Sequence, residues 1–167
     1  MRFSLVPDYY FDHFYEVSPE FLKSIGVNAI ILDIDNTLEP YENSVPGEKV
    51  VLWLDTMRAE GIGCAFVSNN GRERVELFNK ALQLPAYYKA GKPFKKNLLN
   101  ALNDMHSEVS HAAVMGDQIF TDVWAARNAG MKAILVPPIR DKRDLFTKFK
   151  RLLEKPILKS YEKRNNK

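Results

Sequence analysis

Short runs of apolar residues alternate along this chain with longer segments in which apolar residues recur every three or four positions. Unbroken runs such as AIIL before Asp33 and GCAFV before Ser68 are typical of strands that are buried on both faces of a parallel sheet. The longer segments have the spacing of helices with one buried side. The pattern predicts strands at about 28–33, 62–68, 86–90, 111–117 and 132–138.

Capping residues and glycines mark the ends of the predicted helices. In the stretch SPEFLKSIG, Ser18 is a candidate N-cap, Pro19 suits the first helical position and Gly26 follows the end. A longer helix is expected between Pro46 and Gly61, where four apolar residues share one side. Those four residues are Val50, Trp53, Leu54 and Met57, and further helices are predicted over 71–84, 93–106, 121–130 and 143–155.

Strands that alternate with helices of this length are typical of βαβ units. We therefore expect an α/β fold, with a doubly wound, Rossmann-like parallel sheet and helices on both faces. The length of 167 residues suits a single domain, and 46% apolar residues exclude a disordered chain. That domain would comprise an N-terminal leader and helix at 1–27, the sheet, and a basic C-terminal helix and tail at about 141–167.

Charge is distributed unevenly along the chain. Residues 141–167 hold ten Lys and Arg against four Asp and Glu, whereas the other 140 residues hold 14 against 17. In this basic segment, four apolar residues recur at helical spacing: Leu145, Phe149, Leu152 and Leu153. The helix could lie on an anionic lipid surface or dock its apolar stripe on the sheet, and docking is slightly favoured.

Two further features concern the compartment and the surface. Cys64 is the single cysteine, which excludes an intramolecular disulfide, and its place in a buried strand assigns it to core packing. The first dozen residues do not resemble a signal peptide, and no apolar run approaches the roughly 18 residues that span a bilayer. We expect a cytoplasmic protein, at most peripheral at a membrane.

Five aromatic residues within 9–15 would cover an edge of the core or face a partner.

The stretch IILDIDNTLEP runs from a buried strand directly into two carboxylates, Asp33 and Asp35. A carboxylate at such a strand end is partly desolvated, and a second one nearby makes ionisation more costly. A bound cation is the commonest compensation. Ser68, Lys92 and Asp117 also follow predicted strands, at the edge of an open α/β sheet where ligands bind.

Four stretches therefore stand in a fixed order: DIDNTL at 33–38, SNN at 68–70, GKP at 91–93 and GDQIFTD at 116–122. This order resembles the haloacid dehalogenase (HAD) superfamily of aspartate-nucleophile phosphohydrolases. The stretches SNNGRERV and GDQIFTDVWAARNAGMKAILVPP, with the leader LVPDYYFDHFYEVSPEFLKSIGVNAI, are similar to its YqeG-like branch. That branch is related to phosphatidylglycerophosphate phosphatases, and the similarity covers about residues 5–155.

The resemblance implies a Mg²⁺-dependent phosphomonoester hydrolase that works through an aspartyl-phosphate intermediate. Asp33 would attack phosphorus, and Asp35 would protonate the leaving alkoxide and then take a proton from water. Lys92 would neutralise charge on the nucleophile and the transferring group, and Asp122 would orient either Lys92 or the waters beyond the metal ligands. Asp33, the Asp35 backbone carbonyl and Asp117 would hold the metal, and Mn²⁺ also suits these oxygens.

The same resemblance assigns the phosphate contacts. Ser68 and the backbone N–H of Asn69 would bind phosphoryl oxygens; the less favoured alternative is that Ser68 is the N-cap of the next helix, which does not exclude phosphate binding. Asn36 and Thr37 would close the turn after the first strand. The backbone N–H of Asn36 would also contact the phosphate.

The number of residues between the motifs indicates what size of substrate the site accepts. HAD enzymes that act on small metabolites commonly carry a cap domain after the first motif or between the second and third. Here 29 residues separate Leu38 from Ser68 and 21 separate Asn70 from Lys92, and each interval holds one helix and one strand. We therefore expect a capless, open site for a bulky or membrane-presented phosphomonoester. Phosphatidylglycerophosphate is the leading candidate.

Other functions fit parts of the pattern. An open site would also suit a phosphorylated protein or nucleic-acid end, and a non-catalytic phosphate-binding module could use the same scaffold. A phosphorelay receiver domain shares acidic, hydroxyl and Lys residues at strand ends, but it has no acid at the position of Asp35. Nucleic acid is poorly supported as the main partner, because no aromatic and basic platform is visible.

Overall fold

Six strands form one parallel sheet in the computed structural model of this chain. The structure describes the backbone of residues 4–140 and 145–165 and the side chains of residues 4–140 and 152–164. The order across the sheet is β1-β6-β5-β2-β3-β4, and every neighbouring pair is parallel. The strands are β1 (Tyr9–Tyr10), β2 (Ala29–Leu32), β3 (Gly63–Val67), β4 (Ala86–Tyr87), β5 (Ala112–Gly116) and β6 (Lys132–Leu135).

Six α-helices connect or flank these strands. They are α1 (Pro19–Ser24), α2 (Glu48–Ala59), α3 (Arg72–Asn79), α4 (Lys96–Asp104), α5 (Trp124–Ala129) and α6 (Leu145–Asn165). Shorter 3-10 turns cover Phe14–Glu16 and Val109–His111, and a π-helical turn, Ile119–Val123, leads into α5. Within the described ranges, none of the helices is both long and apolar enough to cross a bilayer.

The core lies on both faces of the sheet. Alternate residues of β2 point to opposite faces, so that Ile30 and Leu32 pack in one cluster and Ala29 and Ile31 in the other. The first cluster is covered by α1, α2 and α3, and the second by α4, α5 and the later part of α6. The predicted α/β fold with helices on both faces is thereby confirmed. Cys64 is buried in the first cluster, as expected.

Helix α3 ends earlier than the predicted segment at 71–84. The Asn79 side chain closes a turn by accepting a hydrogen bond from the Leu84 N–H at 3.0 Å and donating to the Leu84 carbonyl at 2.7 Å. Gln83 within this turn has a positive φ of 55°, which a continuing helix does not allow. The chain thus leaves the helix and enters β4.

The leader supplies a strand that the apolar pattern did not predict. Tyr9 and Tyr10 pair with β6 at the sheet edge, and the Arg127 guanidinium ties the preceding Asp8 to α5 with two contacts of 2.8 and 3.0 Å. Tyr9 packs edge-on against Phe21 of α1. The aromatic leader therefore covers an edge of the core, which is the alternative that the sequence left open alongside a partner-facing patch.

Helix α6 docks on the sheet, but not through the described part of the predicted apolar stripe. Ile157 and Leu158 pack against the second core cluster, and the buried Glu154 accepts a hydrogen bond from the Ile119 N–H at 3.3 Å. Leu152 and Leu153 are instead 59% and 44% exposed, because the helix turns a different side to the core. The side chains of the other two stripe residues, Leu145 and Phe149, lie outside the described residues.

Candidate active site

The carboxyl edge of the sheet brings together most of the predicted site residues. Asp33 follows β2, Ser68 follows β3 and Asp117 follows β5, while Lys92 comes from the loop after β4. All four side chains are buried. Parallel strands end at one edge of a sheet, so residues that are far apart in the sequence meet there.

Lys92 links two carboxylates at the centre of this edge. Its Nζ donates to Asp33 Oδ1 at 2.7 Å and to Asp122 Oδ1 at 2.6 Å, and the three side chains are 3%, 9% and 2% exposed. Burial lowers the pKa of the Lys92 ammonium, but the Asp122 and Asp33 carboxylates outweigh burial and raise it above its usual range. Lys92 is therefore positively charged at any pH at which the protein would work.

The charge of the Asp33 carboxylate is less well compensated than that of Lys92. Burial, opposed by Lys92 and reinforced by the nearby Asp122 and Asp35 charges, raises the pKa of its carboxyl group to about 6. One ammonium shared between two carboxylates thus does not fully compensate the desolvation of Asp33. The site would bind a further cation to keep this group ionised.

Asp117 is linked to Asp33 through the hydroxyl group of Thr37. The Thr37 Oγ1 lies 3.4 Å from Asp33 Oδ2 and 3.2 Å from Asp117 Oδ1, and its single proton can be donated to one of them at a time. Carboxylate oxygens of Asp33, Asp117 and Asp122 all lie within 4.8 Å of one another. These three acids form the candidate metal centre within the described residues.

Asp122 is already engaged by protein donors. Its Oδ1 faces Lys92, and its Oδ2 accepts from the Gln118 N–H at 3.1 Å and the Thr121 hydroxyl at 3.3 Å. Asp33 and Asp117 are therefore the better candidates for metal ligands, and the metal-binding role predicted for them from the sequence stays a prediction. Asp122 lies where that assignment put it, in contact with Lys92.

The charge balance of this centre fits a divalent cation. Three buried carboxylates, those of Asp33, Asp117 and Asp122, surround the single ammonium of Lys92 and leave two negative charges in excess when all are ionised. Buried charges that are not paired are costly. Hard oxygen donors with this charge are the ligands that Mg²⁺ prefers.

Asp35 points to a different wall of the site. Its Oδ1 accepts from Arg74 Nε at 3.0 Å and lies 2.9 Å from Arg74 Nη2, while its Oδ2 accepts from Asn70 Nδ2 at 3.0 Å. Arg74 was not predicted from the sequence at all, and Asn70 was given no role of its own. The only available signal was a cation in the first turn of the helix that follows SNN.

The residues after β3 fix the neighbouring loops. Ser68 Oγ accepts from the Asn70 N–H at 3.1 Å, and Gly71 is the N-cap of α3, so the alternative that Ser68 caps this helix is wrong. The Asn69 amide accepts from the Lys92 N–H at 2.7 Å and donates to the Lys92 carbonyl at 3.1 Å. Asn69 thereby locks the backbone of Lys92 beside β3.

One expected contact is displaced by a local turn. Asn36 has a positive φ of 60°, and its N–H donates to the Glu39 carbonyl at 2.7 Å. That N–H is therefore engaged within the loop and does not point at a phosphate, contrary to the expectation. Its own carbonyl accepts from the Ile139 N–H at 2.9 Å, which ties the loop to the segment after β6.

No cap interrupts the described part of the chain around the site. The residues between Leu38 and Ser68 form a loop, α2 and β3, and those between Asn70 and Lys92 form α3 and β4. These elements belong to the sheet and to the helices that cover it. The capless architecture predicted from the spacing is confirmed.

A curated relative shows the family of this chain. The chain is 34% identical over 161 residues to the probable phosphatase YqeG of Bacillus subtilis (strain 168), and the alignment covers 96% of this chain and 94% of that protein. The chain belongs to the YqeG-like branch of the HAD superfamily. Its residues 89–145 also match the HAD-hydrolase-like family. This HAD protein is accordingly a phosphatase, a hydrolase of phosphoric monoesters.

Solved structures share the fold at low sequence identity. A hypothetical protein from Xanthomonas campestris superposes with a TM-score of 0.55 at 15% identity, covering 83% of this chain and 75% of that one. The 3-deoxy-D-manno-octulosonate 8-phosphate phosphatase of Moraxella catarrhalis, in complex with magnesium, phosphate and KDO, gives 0.50 at 15% identity, covering 92% and 98%. These likenesses confirm the HAD fold.

Gly116 at the end of β5 leaves the space that Asp122 occupies. A Cβ at this position would overlap the Asp122 carboxyl group, whereas a Cβ at Gly71 would meet no atom within 4 Å. We expect Gly116→Ala to displace Asp122 from Lys92, to destabilise the fold by about 1–3 kcal/mol and to lower kcat at least tenfold. Gly71→Ala, at a φ of −71°, is the matched control. Urea unfolding and initial rates measure both effects, and a Gly116→Ala protein with normal activity would contradict the packing argument.

Asp33→Asn should leave the metal-free protein no less stable than the wild type at pH 8, although it removes an ion pair with Lys92. The reason is that the Asp33 pKa is raised to about 6 from an ordinary 3.8, so the buried site favours the neutral acid that Asn resembles. As the pH falls through about 6, wild-type Asp33 gains its proton in the folded state and the difference should shrink. Urea unfolding in EDTA at several pH values tests this.

Lys92→Met is the contrasting variant for that experiment. It leaves buried carboxylates without their cation, a change that typically costs about 3–5 kcal/mol. An Asp33→Asn protein that is as unstable as Lys92→Met would show that the Asp33–Lys92 pair is a net stabilising contact, and would contradict the expectation that Asp33 is destabilised by its burial.

Proposed function

We propose that this phosphatase hydrolyses a membrane-presented phosphomonoester through an aspartyl-phosphate on Asp33, with phosphatidylglycerophosphate as the leading substrate. The observation that carries the chemistry is the position of Asp33. This carboxylate is buried at the carboxyl edge of the sheet, with Lys92 on one oxygen and Thr37 and Asp117 beside the other. A carboxylate that is fixed, desolvated and only partly compensated is suited to nucleophilic attack.

In the first step an Asp33 carboxylate oxygen attacks phosphorus, and the bond between phosphorus and the substrate oxygen breaks. Lys92 neutralises charge on the nucleophile and on the phosphoryl group as it moves. Ser68 supports the same group, since its Oγ accepts from Asn70 and keeps its own proton to donate to a phosphoryl oxygen. The Asn69 N–H would provide a second donor.

Asp35 transfers the proton in both steps. It gives a proton to the leaving alkoxide in the first step. In the second, water attacks phosphorus, Asp35 takes the proton of that water, and Asp33 leaves again as a carboxylate. Phosphate and the alcohol are the products, and Asp35 ends in its starting protonation state.

Asp33, Asp117 and the backbone carbonyl of Asp35 would hold Mg²⁺. The ion would supply positive charge that offsets the negative charges of the nucleophile and the phosphate. Asp122 keeps Lys92 in place through their 2.6 Å contact. The shared fold with a phosphatase that was determined with magnesium and phosphate supports this cofactor.

Two features support a substrate at a lipid surface. The capless site is open to a large molecule, and α6 exposes Leu152 on the same side as the exposed basic residues Lys155 and Lys159. Apolar and basic side chains on one exposed helix surface favour contact with anionic lipid. We therefore place the protein in the cytoplasm, peripheral to the membrane, with the leader, the sheet and the C-terminal helix acting as one domain.

Phosphate release from phosphatidylglycerophosphate in mixed micelles with Mg²⁺, compared with a panel of soluble phosphomonoesters, tests this proposal. We expect turnover of the lipid that is lost on addition of EDTA and falls by at least a hundredfold in Asp33→Asn, because nucleophilic attack is removed. Turnover of every substrate by Asp33→Asn at wild-type rates would exclude the nucleophile assignment.

A charge reversal on α6 separates the membrane part of the proposal from the chemistry. Lys159→Glu should weaken turnover of the lipid in anionic micelles and leave a soluble ester unaffected, while Lys80→Glu on the exposed end of α3 serves as the control. Equal turnover of lipid by both variants would remove the lipid-surface argument. Preference for a phosphorylated protein or nucleic-acid end would replace the substrate and retain the mechanism.

A further inference from the structure

We propose that Arg74 is a positioning residue for Asp35, which fixes Asp35 Oδ1 and so makes Oδ2 the oxygen that carries the proton in both steps of the reaction. This inference rests on the proposed function, in which Asp35 transfers that proton. It concerns a side chain that lies on α3, outside the four motifs that the sequence places at strand ends.

The contacts of Asp35 are asymmetric. Its Oδ1 accepts a hydrogen bond from Arg74 Nε at 3.0 Å, and the Arg74 Nη2 lies 2.9 Å from the same oxygen as an ion-pair contact without hydrogen-bond geometry. Its Oδ2 receives one neutral donor, Asn70 Nδ2 at 3.0 Å. The side chains of Asp35 and Arg74 are only 18% and 11% exposed, so water competes weakly for these contacts.

Hydrogen-bond chemistry assigns the proton from this asymmetry. An oxygen beside a guanidinium is the one on which negative charge is stabilised, and therefore the one that stays unprotonated. The other oxygen, as a hydroxyl, can still accept from Asn70 Nδ2 while donating its own proton to a second partner. Oδ2 can thus hold a proton, keep its contact with Asn70 and give the proton to a leaving alkoxide.

The neighbours of Arg74 keep this arrangement rigid. Asn70 is itself held, because its N–H donates to Ser68 Oγ at 3.1 Å and its Oδ1 accepts from the Gly71 N–H at 2.7 Å. The Arg74 guanidinium also lies over the Phe78 ring, 5.3 Å from its centroid. Arg74 is in the first turn of α3, directly after the loop that carries Ser68. The loop and Arg74 therefore belong to one continuous segment.

In the first step the Oδ2–H proton passes to the alkoxide as the bond between phosphorus and that oxygen breaks, and Oδ2 becomes a carboxylate oxygen. In the second step Oδ2 takes a proton from the attacking water as phosphate leaves Asp33. Arg74 exchanges no proton in either step. It acts by holding Oδ1, which prevents the carboxyl group from rotating.

Two esters that differ in leaving group provide the test. Hexyl phosphate releases a basic alkoxide that needs a proton, whereas 4-nitrophenyl phosphate releases a weakly basic phenolate that does not. We expect Arg74→Ala to lower kcat/KM for hexyl phosphate by about a hundredfold, the lower range of general acid catalysis, and to leave kcat/KM for 4-nitrophenyl phosphate nearly unchanged. A loss of fold alone would lower both together.

The second step gives an independent readout in the same variant. Hydrolysis of the aspartyl-phosphate needs Asp35 whichever ester formed it. Arg74→Ala should therefore release one equivalent of 4-nitrophenolate in a rapid burst and then turn over slowly. Arg72→Ala is the matched control, because the described contacts of this exposed arginine of the same helix turn are with Glu76, at 2.7 Å, and with the Tyr88 ring, and not with Asp35.

Arg74→Lys covers the case in which the alanine variant does not fold. It keeps the charge but loses the contact of two guanidinium nitrogens with Asp35 Oδ1. It should therefore show the same selective loss of kcat/KM for hexyl phosphate, but a smaller one. Equal losses on both esters in a folded variant, or no loss on either, would overturn the inference.

Asp35→Asn, measured beside these variants, distinguishes the proposed role of Asp35 from the inference about Arg74. It should show the same split between the esters. If Asp35→Asn affects both esters equally, the proposed role of Asp35 is wrong. If Asp35→Asn shows the split and neither Arg74 variant does, only the inference about Arg74 fails.

Discussion

A single buried ammonium, that of Lys92, sits between the carboxylates of Asp33 and Asp122, and the rest of the site is arranged around it. Each arm of this bridge has its own support. The Lys92 backbone is pinned by the Asn69 side chain, and Asp122 is held by the Gln118 N–H in space left free by Gly116. Strand ends that are distant in sequence are thus tied together by charge.

This bridge leaves the site short of positive charge. One cation cannot compensate three buried acids, and the raised pKa of Asp33 is the consequence. Buried ionic clusters seldom stabilise a fold as much as an apolar core would. In this site the deficit has a chemical use, because it favours a divalent cation, and that cation would in turn offset the negative charge of a phosphoryl group. Asp35 is less directly part of this deficit, because its carboxyl group contacts the Arg74 guanidinium instead of Lys92.

Much of this architecture could be predicted from the sequence, since it depends on local patterns. Apolar runs located the strands at β2, β3, β5 and β6, and polar residues directly after them had to meet at one edge of a parallel sheet. Asp33 and Lys92 were found in this way. The motif order then supplied roles that spacing alone could not.

What escaped prediction depends on tertiary contacts. The two-residue strand β1 has no periodicity of its own and exists because β6 offers an edge. Arg74 resembles any surface arginine until α3 packs beside the Asp35 loop. The inward side of α6 is set by Glu154 and Ile157 meeting the core, and the N–H of Asn36 is taken by a turn that one positive φ creates.

The central claim is that Asp33 carries the phosphoryl group. Borohydride reduces an aspartyl-phosphate to homoserine, so a protein quenched during turnover can be treated with it, digested and sequenced by mass spectrometry. We expect homoserine at position 33 in the wild type, with a larger fraction in Arg74→Ala and none in Asp33→Asn. Continued turnover with an unmodified Asp33, or homoserine at Asp35 or Asp117 instead, would contradict the claim.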